Sequence, residues 1–255
     1  IIPIINIKLI ILTINLIYDI LYNMNTNNKN KNIKKKYEGG NIEHEYQFPD
    51  INKKEIIKKM KRLGGKRKHR KALYTSVYYW NYEENYFYRI RKEYNNITLT
   101  KKVLRESKMP LEYEINILSG STFEEIENFL NNIMDLSKCG KIEVEKFREK
   151  WQIDGLCNEI VFDIWPGLPE YMEIDCGTKR ELDEIITKLG LKGKKYYTKG
   201  VFDYYQDVYG LKDRTVLKNS TLKFATFKNT LGVHITENKE YLSKMQKLQR
   251  KLVKK

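Results

Sequence analysis

Cysteine and histidine are scarce in this chain, and their scarcity removes whole classes of chemistry. Cys139, Cys157 and Cys176 form no C-x-x-C pair and are odd in number. That argues against a disulfide framework and a thiolate zinc site, and predicts a reducing, cytoplasmic setting. With only His44, His69 and His234, no histidine metal cluster is expected. A clean apolar run of membrane length is also missing. The opening "IIPIINIKLIILTINLIYDILYN" comes nearest, but Asn6, Lys8, Asn15 and Asp19 interrupt a span that should hold about 20 mostly apolar residues. A signal anchor is the alternative reading of this leader; without one, no membrane partner is expected. No Met opens it, and Met24 directly precedes "NTNNKNKNIKKKYEGG". The expectation is therefore an over-extended reading frame starting in truth at Met24, followed by a disordered basic tail.

What the chain does have is positive charge. Its 255 residues carry 48 Lys+Arg against 33 Asp+Glu, a formal net charge of +15. The excess points to an anionic partner: phosphate esters, or RNA reached through the basic tail. Against that background "NIEHEYQF" stands out. On a strand, Glu43, Glu45 and Gln47 share one face while Ile42, His44, Tyr46 and Phe48 share the other. Like charges roughly 7 Å apart repel unless something positive lies between them.

The pattern recurs. "IEHEYQF", "LEYEINI" and "YMEIDC" each carry acid-x-acid and each runs into an amphipathic helix. In those helices Ile56, Ile57, Met60 and Leu63, then Ile126, Phe129, Leu130 and Ile133, then Leu182, Ile185, Ile186 and Leu189 form the inward stripes. Other strands carry cations in phase: Arg89 and Arg91 in "YFYRIRKEY", Lys102 in "ITLTKKV", and Lys146, Arg148 and Lys150 in "IEVEKFREKWQI". Glu159 and Asp163 alternate with Ile160, Phe162 and Ile164. Polar faces of acids and of bases, with helices to cover the apolar faces, predict an α+β fold: a closed antiparallel barrel with a charged lumen. Such a lumen suits a polyanion bound with Mg²⁺ or Mn²⁺, which take carboxylate and phosphate oxygens together. "GKRKHRK" reads as a solvated basic turn, and Trp80, Trp151 and Trp165 as packing.

These residues resemble the CYTH superfamily, the triphosphate tunnel metalloenzymes that include class IV adenylyl cyclases and thiamine triphosphatases. The resemblance runs from Asn41 to Leu191. Glu43 and Glu45 fit the family's E-x-E-x-K, with Gln47 where the lysine belongs; Arg89, Arg91 and Lys102 resemble its phosphate-binding cations, and Lys146 and Arg148 its K-x-R. Glu112, Glu114, Asp163, Glu173 and Asp175 resemble its later carboxylates. The resemblance implies a tunnel of about eight strands over residues 41–195; residues 196–255, with "YYTKGVFDYYQDVYG" and "YLSKMQKLQRKLVKK", read by their own pattern as a helical flank. The resemblance also implies metal on Glu43, Glu45, Glu112, Glu114, Asp163, Glu173 and Asp175. The substrate phosphates fall to Arg89, Arg91, Lys102, Lys146, Arg148 and Lys150, and the catalytic role to Lys102, Arg148 and Gln47. The reaction implied is hydrolysis of an organic triphosphate or cyclisation of a nucleotide. Because an amide cannot act as a general base, a non-catalytic module binding polyphosphate or RNA ends is the alternative.

Overall fold

A 16-residue strand, Lys66–Asn81 (β3), is the spine of the molecule. The computed structural model describes residues 41–253 except Glu43, Asn95, Glu106, Ser107, residues 118–121 and Lys199. The expected leader and tail of residues 1–40 lie outside the described residues, as does the Glu43 part of the acid pair. In chain order the remaining strands are β1 (Asn41–Ile42), β2 (His44–Phe48), β4 (Tyr86–Glu93), β5 (Asn96–Arg105), β6 (Lys108–Ile117), β7 (Gly140–Ile153), β8 (Cys157–Ile164), β9 (Tyr171–Cys176) and β10 (Ser220–Leu222). The helices are α1 (Lys53–Arg62), α2 (Phe123–Ile133), α3 (Lys179–Leu189), α4 (Val201–Tyr209), α5 (Phe227–Gly232) and α6 (Lys239–Val253).

The strands form one sheet in the order β1-β6-β5-β4-β3-β7-β8-β9-β2, with antiparallel neighbours throughout this path. β10 adds to β7 in parallel, a pairing the sequence did not suggest. The two ends of the path are consecutive in the chain. Residues 41–42 pair with β6 through Asn41↔Glu112, and residues 44–48 pair with β9 through Glu45↔Asp175 and Gln47↔Glu173. Even so, the sheet is a curled half-barrel, and the closed barrel expected is not shown. One reason lies on the far edge of β2, where Gln47 exchanges both backbone hydrogen bonds with Tyr197 and that edge is taken.

Alternation decides which faces are covered. Val77, Tyr79, Tyr88 and Ile90 pack outward against Ile126 and Leu130 of α2. Phe162, Met172 and Ile174 pack against Ile56 and Met60 of α1 and against all four predicted positions of α3. Thr122 and Glu125 form a capping box at the start of α2. The α2 stripe is narrower than predicted, because Phe129 is 49% exposed. Gly190 ends α3 in left-handed backbone (φ 70°), where an L side chain would be strained.

Two further expectations change. Cys157 and Cys176 are disulfide-bonded within the α1/α3 core, their Cα atoms 4.9 Å apart, so the cysteines do not argue for a reducing compartment as their spacing had suggested. "KRKHRK" is not a turn but the exposed first part of β3. Among the described residues no helix is long and apolar enough to cross a membrane.

The C-terminal elements finish one end of the curl. Tyr204, Tyr205 and Tyr209 of α4 pack with Tyr78, Trp80, Trp165 and Tyr171. On α6 the buried Gln249 side chain accepts from Gly167 N at 2.8 Å and donates to the carbonyls of Trp165 and Leu168 at 3.0 and 2.7 Å. Gly167 is required at this turn. Its φ is 86°, and a Cβ would press on Leu231, Phe227 and Leu242 at 3.2 to 3.3 Å.

Candidate functional site

The inward face of the curl is a pocket whose two walls carry opposite charge. Arg89 and Arg91 of β4, Lys102 of β5, and Lys146 and Arg148 of β7 line it on one side. Glu45 and Gln47 of β2, Glu159 of β8, and Glu173 and Asp175 of β9 line the other, while Glu112 and Glu114 on β6 lie beside the cations of β4 and β5. The period of two places them: on each of these strands, alternate residues project to the same side of the sheet, and the charged ones share the side that the helices leave open.

The cation wall is already engaged by acids. Arg89 Nη2 donates to Thr100 Oγ1 at 3.0 Å, to Glu114 Oε2 at 3.1 Å and to Glu112 Oε1 at 3.4 Å. Arg91 pairs with Glu93, and its Nη2 lies 3.6 Å from Glu114. Lys102 Nζ sits between Glu45 (3.7 Å) and Glu112 (3.9 Å).

Arg148 is the hub. Its Nε and Nη2 each donate at 2.7 Å to the two oxygens of Asp163, a bidentate pair. Its Nη1 reaches Glu159 at 3.1 Å, and Nη2 also reaches Glu173 at 2.9 Å. Lys146 Nζ completes the cluster at 2.9 Å from Asp163 Oδ2. Burial alone would raise the Asp163 carboxyl, but Arg148 and then Lys146 outweigh it and hold the group at about 2. Asp163 has no exposed surface and does not line the pocket. Here it is an ion-pair anchor for the two cations, with both oxygens engaged; the resemblance had implied it as a metal ligand. Lys150, implied as a phosphate-binding residue, pairs with Glu159 and is likewise not part of the lining.

The acid wall behaves differently. Gln47 Nε2 donates to Glu45 Oε1 at 2.7 Å and to Glu173 Oε2 at 3.0 Å, so one neutral amide spans two carboxylates. Burial, then Glu45, pushes Glu173 up to about 7 despite Arg148. Burial, then Glu45, Glu159 and Glu173, pushes Asp175 up to about 8, with Lys102 the opposing influence. At Glu173 and Asp175 burial and the neighbouring acids outweigh the cations in reach, whereas Glu159, paired with Arg148 and Lys150, is lowered.

Sequence reasoning missed part of the lining. Glu159 was legible as a polar-face residue but had no assigned role. Tyr78, Trp80, Phe87 and Trp165 form an aromatic end of the pocket, where Val201 and Phe202 of α4 join the lining. The available signal was that Phe87 shares a strand face with Arg89 and Arg91. Trp80 and Trp165, read as packing, line the pocket and pack in the core at once; Trp151 is packing alone, buried in the α1/α3 core.

No protein-family profile and no curated protein matches the chain. Solved structures do. A conserved hypothetical protein from Pyrococcus furiosus superposes with a TM-score of 0.50 at 17% identity, over 63% of this chain and 98% of that one. The chain shares the fold of that protein. The PH1012 protein from Pyrococcus horikoshii OT3 is similar at 20% identity and a TM-score of 0.49, over 64% and 98% of the two chains. HpAC1 from Hippeastrum, an adenylyl cyclase candidate whose structure is described as revealing a dominant triphosphatase activity, is similar at 14% identity and a TM-score of 0.41, over 64% and 95%. At these identities the likeness is one of fold.

Proposed function

We propose that the protein is a divalent-metal-dependent enzyme acting on an organic triphosphate in this pocket, by phosphohydrolysis or by nucleotide cyclisation. The observation that carries the reading is the pair of opposed walls: cations placed for phosphate oxygens face carboxylates that are short of counter-charge. Arg89 and Arg91 would exchange their present carboxylate partners for phosphate, which takes the same fork of donors.

By the chemistry of their oxygens, though not by their present grouping, the acids suit Mg²⁺ or Mn²⁺. Glu45, Glu173 and Asp175 are hard oxygen ligands on facing positions of β2 and β9. Among the described residues no three Asp, Glu, His or Cys are grouped to hold a metal ion, and Glu45 and Glu173 are instead engaged by Gln47 and Arg148. To hold the ion these three carboxylates, with Glu43 beside them by sequence, would have to leave those partners and group together. A bound cation would supply Lewis-acid stabilisation of charge on the transferring phosphoryl group. The chain's own part is to bind the phosphates through Arg89, Arg91 and Lys102, to keep Arg148 rigid on Asp163, and to orient the reacting oxygen beside Gln47.

The second reading is a module that binds polyphosphate or RNA ends without turnover. Gln47 favours it, because an amide spanning Glu45 and Glu173 cannot take a proton from water. Incubation with ATP, 5′-triphosphate RNA and tripolyphosphate in Mg²⁺ or Mn²⁺ separates these. Orthophosphate means hydrolysis, pyrophosphate with cyclic AMP means cyclisation, and binding without product means the module.

A further inference from the structure

The first six residues of β3, Lys66, Arg67, Lys68, His69, Arg70 and Lys71, are all exposed, and five of them are Lys or Arg. None lines the triphosphate pocket. Their strand is paired on one edge only: β7 occupies one side, while the ladder to β4 begins at Thr75↔Lys92. Register shifts between Arg67 and His69 and between His69 and Ala72 mark irregular pairing of this stretch with β7. Such bulges re-aim side chains and recur beside functional sites. Lys66, Arg67 and Lys71 reach Asp154, Glu149 and Glu170. Lys68 and Arg70 have no ion-pair partner among the described residues. A six-residue strand spans about 20 Å, so this is a narrow cationic ledge rather than a broad patch.

An aromatic surface lies along it. Tyr94, at the end of the adjoining hairpin, is 39% exposed, lies against the His69 ring at a centroid distance of 4.7 Å, and donates its hydroxyl to the Arg70 carbonyl. Its φ of 52° is one that bulky residues rarely adopt. Cations in a row with an accessible ring beside them are what single-stranded nucleic acid binds, the backbone by charge and a base by stacking. A lipid surface calls for a wider charged face with apolar groups to insert.

We propose that the 66–71 ledge with Tyr94 is a binding surface for single-stranded nucleic acid, separate from the triphosphate pocket. The test uses the full chain and a short single-stranded RNA bearing a 5′-hydroxyl, which has no triphosphate to place in the pocket. Lys68→Glu with Arg70→Glu should weaken binding about tenfold or more. It should also reduce the salt dependence, by about 0.7 in log–log slope for each phosphate that is no longer neutralised. Tripolyphosphate binding and the melting temperature should not change. Tyr94→Ala should weaken RNA binding at least about fivefold, and Tyr94→Phe should restore it. Lys68→Ala with Arg70→Ala repeats the test without charge reversal. RNA binding that survives both double substitutions overturns the proposal, as does equal loss of RNA and tripolyphosphate, which would place the ledge within the pocket. Loss of binding to phosphatidylserine vesicles, with RNA binding intact, would also overturn it and assign the ledge to a lipid surface.

Discussion

Asp163 and Asp175 lie on adjacent strands inside the same curl, yet their carboxyls are driven in opposite directions, to about 2 and about 8. Burial acts upward on both, so burial is not what separates them. Asp163 has a bidentate Arg148 and a Lys146 on its two oxygens. Asp175 has Glu45 opposite it on β2 and Glu159 opposite it on β8. An acid supplied with its counter-charge by the protein is part of the scaffold. An acid surrounded by other acids is held towards its protonated form, and that strain on the charged state is what the proposed function uses.

The strongest way to break that contrast is to remove the scaffold's own cation. Arg148→Ala leaves Asp163 buried with Lys146 alone and should cost about 3–5 kcal/mol in denaturant unfolding, because an uncompensated buried charge is the expensive outcome. Asp163→Asn in the same background should recover part of the loss. A cost below about 1 kcal/mol would mean that Asp163 is no anchor and that the assignment of the two acids to different roles is wrong.

The pH dependence sharpens the contrast next. Asp175 and Glu173 are raised, so between the ordinary carboxylate range and about 8 the folded state holds protons that the unfolded chain has released. Stability should therefore fall as pH rises through that window. Asp163 is depressed, so its contribution is present above the ordinary range and is lost as pH falls towards about 2. Metal-free protein should thus lose several degrees of melting temperature as pH rises from the ordinary carboxylate range to about 8, and Mn²⁺ should flatten that slope. A flat profile without metal would remove the argument that the acid wall is short of charge. Glu45→Gln should flatten it too, since Glu45 is the largest charge acting on both groups.

Much of this contrast is legible in the sequence alone. The period of two places Glu45, Arg89, Arg91, Lys102, Arg148 and Glu173 on inward faces, because a strand with one covered face has no freedom to do otherwise. Which acid meets which cation is not legible. Asp163 and Glu173 look alike in the sequence, and only the register of β8 against β7 sets Asp163 opposite Arg148. The incomplete closure has the same cause: the pairing of Gln47 with Tyr197, far along the chain, leaves no trace in local pattern. The cysteines mislead for a related reason. Cys157 and Cys176 are brought together by the β8–β9 pairing, and spacing alone does not show it.

Ligand binding tests the cation wall at smaller scale. Arg89 keeps only part of its surface in solvent and is held by Thr100, Glu112 and Glu114, and neither carboxylate is sealed as Asp163 is. Arg89→Ala should therefore weaken triphosphate binding roughly ten- to a hundredfold, the worth of one charge-assisted hydrogen bond, with little loss of stability. Calorimetric titration with a non-hydrolysable triphosphate reads the affinity, and a thermal melt of the same preparation reads the stability. Equal losses of affinity and stability would make Arg89 another scaffold cation.

The smallest expected change is at Gln47, where the amide now joins Glu45 to Glu173 without adding charge. Gln47→Lys would place an ammonium between them, favour the ionised form of Glu173 and supply a group able to orient water. Phosphate release should rise by about an order of magnitude, the low end of what a positioned proton-transfer group contributes, while cyclic product does not rise with it. The same lysine would compete with a divalent cation for Glu45 and Glu173, so the Mn²⁺ concentration needed for half-maximal activity should increase. If the unsubstituted protein already hydrolyses tripolyphosphate briskly and Gln47→Lys slows it, then the water is positioned elsewhere in the pocket, with Lys102 between Glu45 and Glu112 the next residue to substitute.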